Sequence, residues 1–355
     1  MHNRLFTPGP TEVRPEILKE LSTPQIYHRA PEFSELYAEI QPKLQRLLYT
    51  KNPVFLFTSS STGAMEAAVT NLVAKRCLNL VNGAFSQRWH EIALGNGIPC
   101  DAFEIDWDKA IKPEMVDKQL RTGKYDAVTF VFNETSTGLM NPLPEIAEVV
   151  SRYPDVFLLV DAVSAMAGVK IEADALKLDF LLAGVQKAFA LPAGLTIAAV
   201  SERALARSEK VPPRSYYFSL PLMHKSHQKN QTPATPAIPQ MFALNAQLTA
   251  MLKEGLDNRF ARHEKMAALV QKWAKKHFDI YPEAGYWSKT VTCIKNTRGL
   301  AVGDLIKTLV KEYSFRISNG YGPIKEKTFR IAHMGDAQVD EVEGVLKAIE
   351  ATLKL

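Results

Sequence analysis

Short β-rich runs alternate with helix-patterned segments over the first two-thirds of this chain, and that rhythm limits its possible folds more than any other feature. The candidate strands are Val54–Phe57, Leu78–Asn82, Ala102–Asp106, Ala127–Phe132, Val156–Asp161, Phe180–Ala183 and Thr196–Ser201. Between several of them lie stretches of helical period, such as Gly63–Ala74 and Leu143–Ser151. Parallel strands need long crossovers, usually helices, and those helices cover both faces of the sheet. Central strands then lose their polar alternation, as the nearly unbroken apolar runs after Asp126 and from Val156 do. The expectation is an α/β fold whose large domain holds a mostly parallel seven-stranded sheet covered by helices.

Past residue 206 the rhythm breaks. Six prolines (Pro212, Pro213, Pro221, Pro233, Pro236 and Pro239) make residues 207–240 an expected irregular loop. Met241–Leu256 and Arg259–Lys276 follow as long helices. The tail is expected to run strand Thr290–Lys295, helix Val302–Tyr313, strands Phe315–Ser318 and Thr328–His333, and helix Val339–Leu353, a smaller α+β domain. The expected divisions are an N-terminal arm over 1–15, a large domain over 16–257 and a small C-terminal domain over 258–355.

Composition excludes several classes. The 355 residues are 46% hydrophobic and 23% charged, an ordinary globular balance. The formal charge of +5 is spread out, without the dense basic stripe that nucleic acid requires. No apolar run reaches the roughly 18 residues of a membrane span, and the start lacks a signal-peptide core. Three widely spaced cysteines, Cys77, Cys100 and Cys293, form neither a disulfide framework nor a metal motif, so a cytoplasmic location is expected. The terminal Leu353-Lys354-Leu355 reads as the end of an amphipathic helix rather than a targeting signal.

The chemistry is concentrated where strands end. From Leu178 to Val200 the only charges are Asp179 and Lys187. A lysine set among apolar residues loses hydration, which favours the neutral amine that attacks aldehydes. The same segment also suits a lysine at the exposed tip of a connection between two strands. Asp161 closes a buried strand, where a carboxylate needs a cationic partner such as a protonated pyridine nitrogen; capping the next turn would serve it as well. Thr58–Gly63 brings a run of hydroxyls to the start of a helix, a favourable place for phosphate and also an ordinary cap. Phe85 could stack on a planar ring or pack in the core. Thr135 could donate to a phenolate oxygen or shape a turn, and Arg330 could hold a substrate carboxylate or a structural ion pair.

Taken together, seven segments in order resemble the class V aminotransferases of the alanine–glyoxylate and serine–pyruvate type. They begin at Thr7 (TPGPT), Ser60 (SSTGAMEAA), Glu134 (ETSTG), Val160 (VDAVS), Gly184 (GVQKA), Thr232 (TPATP) and Phe329 (FRIAHMGD). The resemblance implies the fold-type-I architecture and pyridoxal 5'-phosphate held on Lys187 as a Schiff base, with Asp161 on the pyridinium. It further implies that Ser61, Thr62 and Gln186 meet the phosphate, Phe85 covers the ring, Val163 adds a cofactor contact, Thr135 bonds the ring oxygen and Arg330 holds the substrate carboxylate. Thr235, and Thr232 beside it, would reach the phosphate of the neighbouring subunit, making the protein a homodimer with shared sites. Ser61 stands where the family usually has glycine, and Thr232 where it often has tyrosine. The implied reaction is a ping-pong transfer of an amino group from alanine or serine to glyoxylate or pyruvate. His28 and Arg29 resemble phosphate contacts of phosphoserine transaminases, which keeps phosphoserine with 2-oxoglutarate as a second reading. A catalytically degenerate homologue that only binds a partner is a third. Cys293, in an expected strand, does not suit the mobile sulfur carrier of a cysteine desulfurase.

Overall fold

A computed structural model describes residues 2–355. Seven strands form the main sheet: β1 (Val54–Phe57), β2 (Cys77–Val81), β3 (Cys100–Glu104), β4 (Ala127–Val131), β5 (Phe157–Asp161), β6 (Phe180–Gly184) and β7 (Thr196–Val200). Their spatial order is β1-β7-β6-β5-β4-β2-β3, and only β7 runs antiparallel to its neighbours. Alternate residues of each strand feed two different cores, as strand geometry demands. Leu158 and Val160 of β5 join Leu36, Ile40, Ile146 and Leu244 on one face, while Phe157 and Leu159 join Val69, Trp89 and Leu220 on the other. The result is a three-layer α/β/α body with every central strand fully buried.

Strand positions depart from expectation by one or two residues where pairing decides the register. β3 begins at Cys100 rather than Ala102 because Cys100 lies opposite Cys77 and the Pro99 carbonyl accepts from the Cys77 N–H. The proline-rich stretch is not wholly irregular: helix Leu220–His227 lies inside it, capped by the Ser219 hydroxyl, with Pro221 in its first turn. Proline is tolerated there, since that N–H has no helical acceptor in any case. Helices Pro31–Leu48 and Ala84–Gly95 add to the expected set.

The chain passes along helix Leu256–His277 into a smaller unit with its own core of Met266, Val270, Ile294, Leu305, Phe329, Ile331 and Val345. Its antiparallel sheet comprises β8 (Asp279–Ile280), β9 (Val291–Lys295), β10 (Ser318–Asn319) and β11 (Thr328–Ala332), in the order β8-β9-β11-β10. The single strand expected over Phe315–Ser318 is two pieces. Phe315–Arg316 pairs with Arg4–Leu5 of the arm, Ile317 is buried between, and β10 pairs with β11. No helix among the described residues is long and apolar enough to cross a membrane.

Asp179 shows why a charge can precede a buried strand without being functional. Its carboxylate, 1% exposed, accepts from the Leu158 N–H, the Ser201 hydroxyl and the Arg203 guanidinium at 2.6–3.0 Å. It ties β5, β6 and β7 together at the end of the sheet opposite Lys187. Asp179→Ala should lower the unfolding free energy by about 2–4 kcal/mol, leaving a buried N–H without an acceptor. Urea denaturation checks this, and cofactor affinity at the other end should be unchanged.

Candidate active site

Every parallel strand of the sheet ends on the same edge, and there the chemically equipped side chains meet, as open α/β sheets dispose them. The turn after β1 supplies Ser60, Ser61 and Thr62; the helix after β2 supplies Phe85 and Arg88. Asn133 and Thr135 follow β4, Asp161 ends β5, Val163 follows it, and Gln186 and Lys187 follow β6. With Met65 these residues line one cavity of about 120 Å³. A larger cleft of about 330 Å³, between Asn52, Tyr153, Lys177 and Arg203, lies near Asp179 and contains none of this set. Size alone does not locate the chemistry.

Lys187 is buried, with its Nζ 5.8 Å from the Phe85 ring centroid. Burial first, then the nearby Arg330, brings its amine from 10.5 down to about 8, against the opposing pull of Asp161 and Glu134. Asp161 shows the converse. Burial, and after it the Glu134 carboxylate, pushes its carboxyl up to about 7, although the Val163 N–H donates to it at 2.8 Å and Lys187 and Arg88 oppose the rise. The turn bearing Lys187 is clamped from three sides. The Lys187 carbonyl accepts from the Thr11 hydroxyl at 2.9 Å, the buried Arg259 donates to Ala188 O at 2.7 Å, and Gln247 donates to Phe189 O at 2.9 Å. Gly9 lies so close that a Cβ there would stand 2.5 Å from Lys187 Cδ.

Glu134 is a residue that motif reasoning passed over. Fully buried, it accepts from the N–H groups of Phe85, Ser86 and Ser136 and from both serine hydroxyls. It thereby holds the first turn of helix Ala84–Gly95 and fixes the Phe85 ring over the cavity. A side chain at Gly83 would meet the Glu134 Cγ at 2.3 Å, so this junction needs glycine.

Two polar groups in the wall are buried without a partner among the described residues: the Ser61 hydroxyl and both amide atoms of Asn133. Such atoms cost stability unless something binds them. Arg330, on β11, stands just outside this wall and gives N–H groups to the carbonyls of Asn319 (3.1 and 3.0 Å) and Thr135 (3.1 Å), which leaves two of its five free. The Thr135 hydroxyl bonds that of Ser164. His28 and Arg29 do not line the cavity, and Thr235, expected to act on the neighbouring subunit, does not line that of its own chain. Arg29 donates to Gln231, Thr232 O and Pro233 O, with His28 beside it, and Thr235 is exposed in a groove with Thr58, Tyr217 and Pro236.

The class-V aminotransferase family model matches residues 9–317. The chain belongs to that family. Serine–glyoxylate aminotransferase of Methylorubrum extorquens is 30% identical over 99% of this chain and 91% of its own length. L-aspartate–glyoxylate aminotransferase of Paracoccus denitrificans is 30% identical over 94% of this chain and 86% of its own. Among solved structures, alanine–glyoxylate aminotransferase from Nostoc sp. superposes with a TM-score of 0.94 at 26% identity, covering 99% of this chain and 96% of that one. This class-V aminotransferase has the fold-type-I architecture and uses pyridoxal phosphate.

The residues present fit that cofactor. The orphaned Ser61 hydroxyl opens helix Ser61–Leu72, where free N–H groups favour an anion. Gly184 keeps the cradle open, because a Cβ there would stand 2.4 Å from both Ser61 Oγ and Gln186 Oε1. Gly184→Ala should therefore weaken pyridoxal phosphate binding about 10-fold or more through overpacking. Spectroscopic titration of the apo-protein reads this.

Proposed function

We propose that this aminotransferase moves the amino group of a small amino acid, alanine or serine, to glyoxylate or pyruvate by a ping-pong cycle, with Lys187 as its catalytic amine. The observation that carries this reading is the shared cavity of one buried amine and one buried carboxylate, Lys187 and Asp161. When bound, pyridoxal phosphate supplies the aldehyde that carries the amino group and the ring that accepts an electron pair.

The chain's own groups do the rest. Lys187 Nζ would be the amine that holds the aldehyde and the base that moves the substrate α-proton, work suited to an amine brought down to about 8. Asp161 would hold the ring nitrogen in its protonated form. Phe85 and Val163 would enclose the ring, and Thr135 would serve its oxygen. Ser61, Thr62 and Gln186 would receive the phosphate. The two free N–H groups of Arg330 take the substrate α-carboxylate.

Thr235 acts across a homodimer interface, consistent with its exposure away from its own chain's cavity. Light scattering of the purified protein should give twice the chain mass. Glyoxylate as acceptor draws support from the relatives' names, which differ in the donor. Neither His28 nor Arg29 lines the cavity of Lys187, and Arg29 is held by Gln231, Thr232 and Pro233, so their placement favours the unphosphorylated substrates.

Lys187→Ala should abolish turnover, and borohydride reduction of the wild-type holoenzyme should leave the cofactor on the peptide containing Lys187. A label on any other lysine would overturn the assignment. Half-reactions with alanine, serine, aspartate and phosphoserine, followed by absorbance, identify the donor. The pH dependence has a definite sign. The neutral amine is the reactive form, so capture of pyridoxal phosphate by the apo-protein should rise with pH up to about 8 and then level off. A lysine at its ordinary 10.5 would give a rate still climbing about tenfold per pH unit beyond 9.

A further inference from the structure

The cavity wall contains two cations, and the reading above employs only Lys187. The other is Arg88, one turn beyond Phe85 on helix Ala84–Gly95, with its guanidinium carbon 5.0 Å from the Phe85 ring centroid. Arg88 is half-buried and makes no hydrogen bond or ion pair among the described residues. Nearby acids are otherwise engaged: Asp161 accepts from the Val163 N–H, and Glu134 holds the helix start. Arg330 does not line this cavity and is anchored to two carbonyls.

We propose that Arg88 is the guanidinium that binds the cofactor's phosphate, supplying the one formal charge of an otherwise neutral cradle. The inference rests on the cavity being the cofactor site. The other groups there, the hydroxyls of Ser61 and Thr62, the Gln186 amide and the N-terminus of helix Ser61–Leu72, offer dipoles and N–H bonds but no net charge. The Lys187 amine cannot fill the gap, because capturing the aldehyde commits it to the ring. A phosphate dianion taken out of water in this cavity would need a counter-charge, and a planar guanidinium fork matches its oxygens better than an ammonium does. Stacking on Phe85 holds the guanidinium in place without consuming any of its five N–H donors. The same arrangement gives the site a preference for the phosphorylated vitamer over pyridoxal.

The test compares pyridoxal phosphate, pyridoxal and inorganic phosphate on the full-length apo-protein. Arg88→Gln should raise the dissociation constant of pyridoxal phosphate about 10- to 100-fold while leaving that of pyridoxal within about twofold. Arg88→Lys, with the charge but not the fork, should fall between the two. Should either variant fold poorly, phenylglyoxal modification of the wild-type apo-protein gives the same answer. Arg88 should be protected by inorganic phosphate and pyridoxal phosphate but not by pyridoxal. Equal losses for both vitamers, or no protection by phosphate, would reduce Arg88 to ring packing and refute the proposal. Unaltered cofactor affinity with a raised KM for acidic donors would refute it in favour of a substrate contact. The borohydride label separates the two levels: with Lys187 labelled and vitamer discrimination intact in Arg88→Gln, only the Arg88 assignment fails.

Discussion

An amine and a carboxylate withdrawn from water at one edge of a sheet set the terms for the rest of this structure. Burial is the largest force driving Lys187 toward the neutral amine and Asp161 toward the neutral acid, and with the neighbouring charges it leaves them at about 8 and about 7. Their mutual attraction pulls both back, so the pair stands where small changes in the surroundings shift a proton. Such a pair is expensive to hold in place, and the chain fixes it through main-chain anchors. The Val163 N–H fixes Asp161, while Thr11, Arg259 and Gln247 fix the turn of Lys187 through its carbonyls. These anchors come from distant parts of the sequence. Asp336 adds to the clamp by joining Arg14, Gln247 and Arg259, so the arm, the main body and the smaller unit all bear on a single turn.

Glu134 extends the same logic to the Phe85 side of the cavity. A buried carboxylate at a helix N-terminus is well placed electrostatically, and here it is satisfied by five donor groups from three residues. Its charge is also felt by Asp161, which it pushes upward, and by Lys187, whose ammonium it favours. One side chain therefore positions Phe85 and biases the titration of the pair beneath it.

The large sheet was legible because its strands are short, apolar and separated by helical periods; all seven were located, with errors of one or two residues at their ends. The ends were less legible because register is a property of two strands, as Cys77 opposite Cys100 illustrates. Lys187 stood out as one of two charges in a long apolar segment, but the other, Asp179, is equally buried and purely structural. Only the direction of the strand between them, which places Asp179 before β6 and Lys187 after it, tells the two apart. Glu134, Asn133 and Arg88 had no such contrast. Each stands in a polar or mixed stretch, and its significance lies in partners, or in their absence, that only the folded chain reveals.

The same reasoning explains why the cofactor is easier to infer than the substrate. The groups lining the cavity come from turns that follow strands of one sheet, so their chain order carries the site with it. Arg330 belongs to a different sheet, and its guanidinium is aimed by carbonyls of Asn319 and Thr135 from two separately packed units. Beside it Tyr321, whose ring centroid lies 5.6 Å from that of Phe85, comes from a loop of the smaller unit. Arg330 and Tyr321 are therefore positioned by how the smaller unit sits against the larger one.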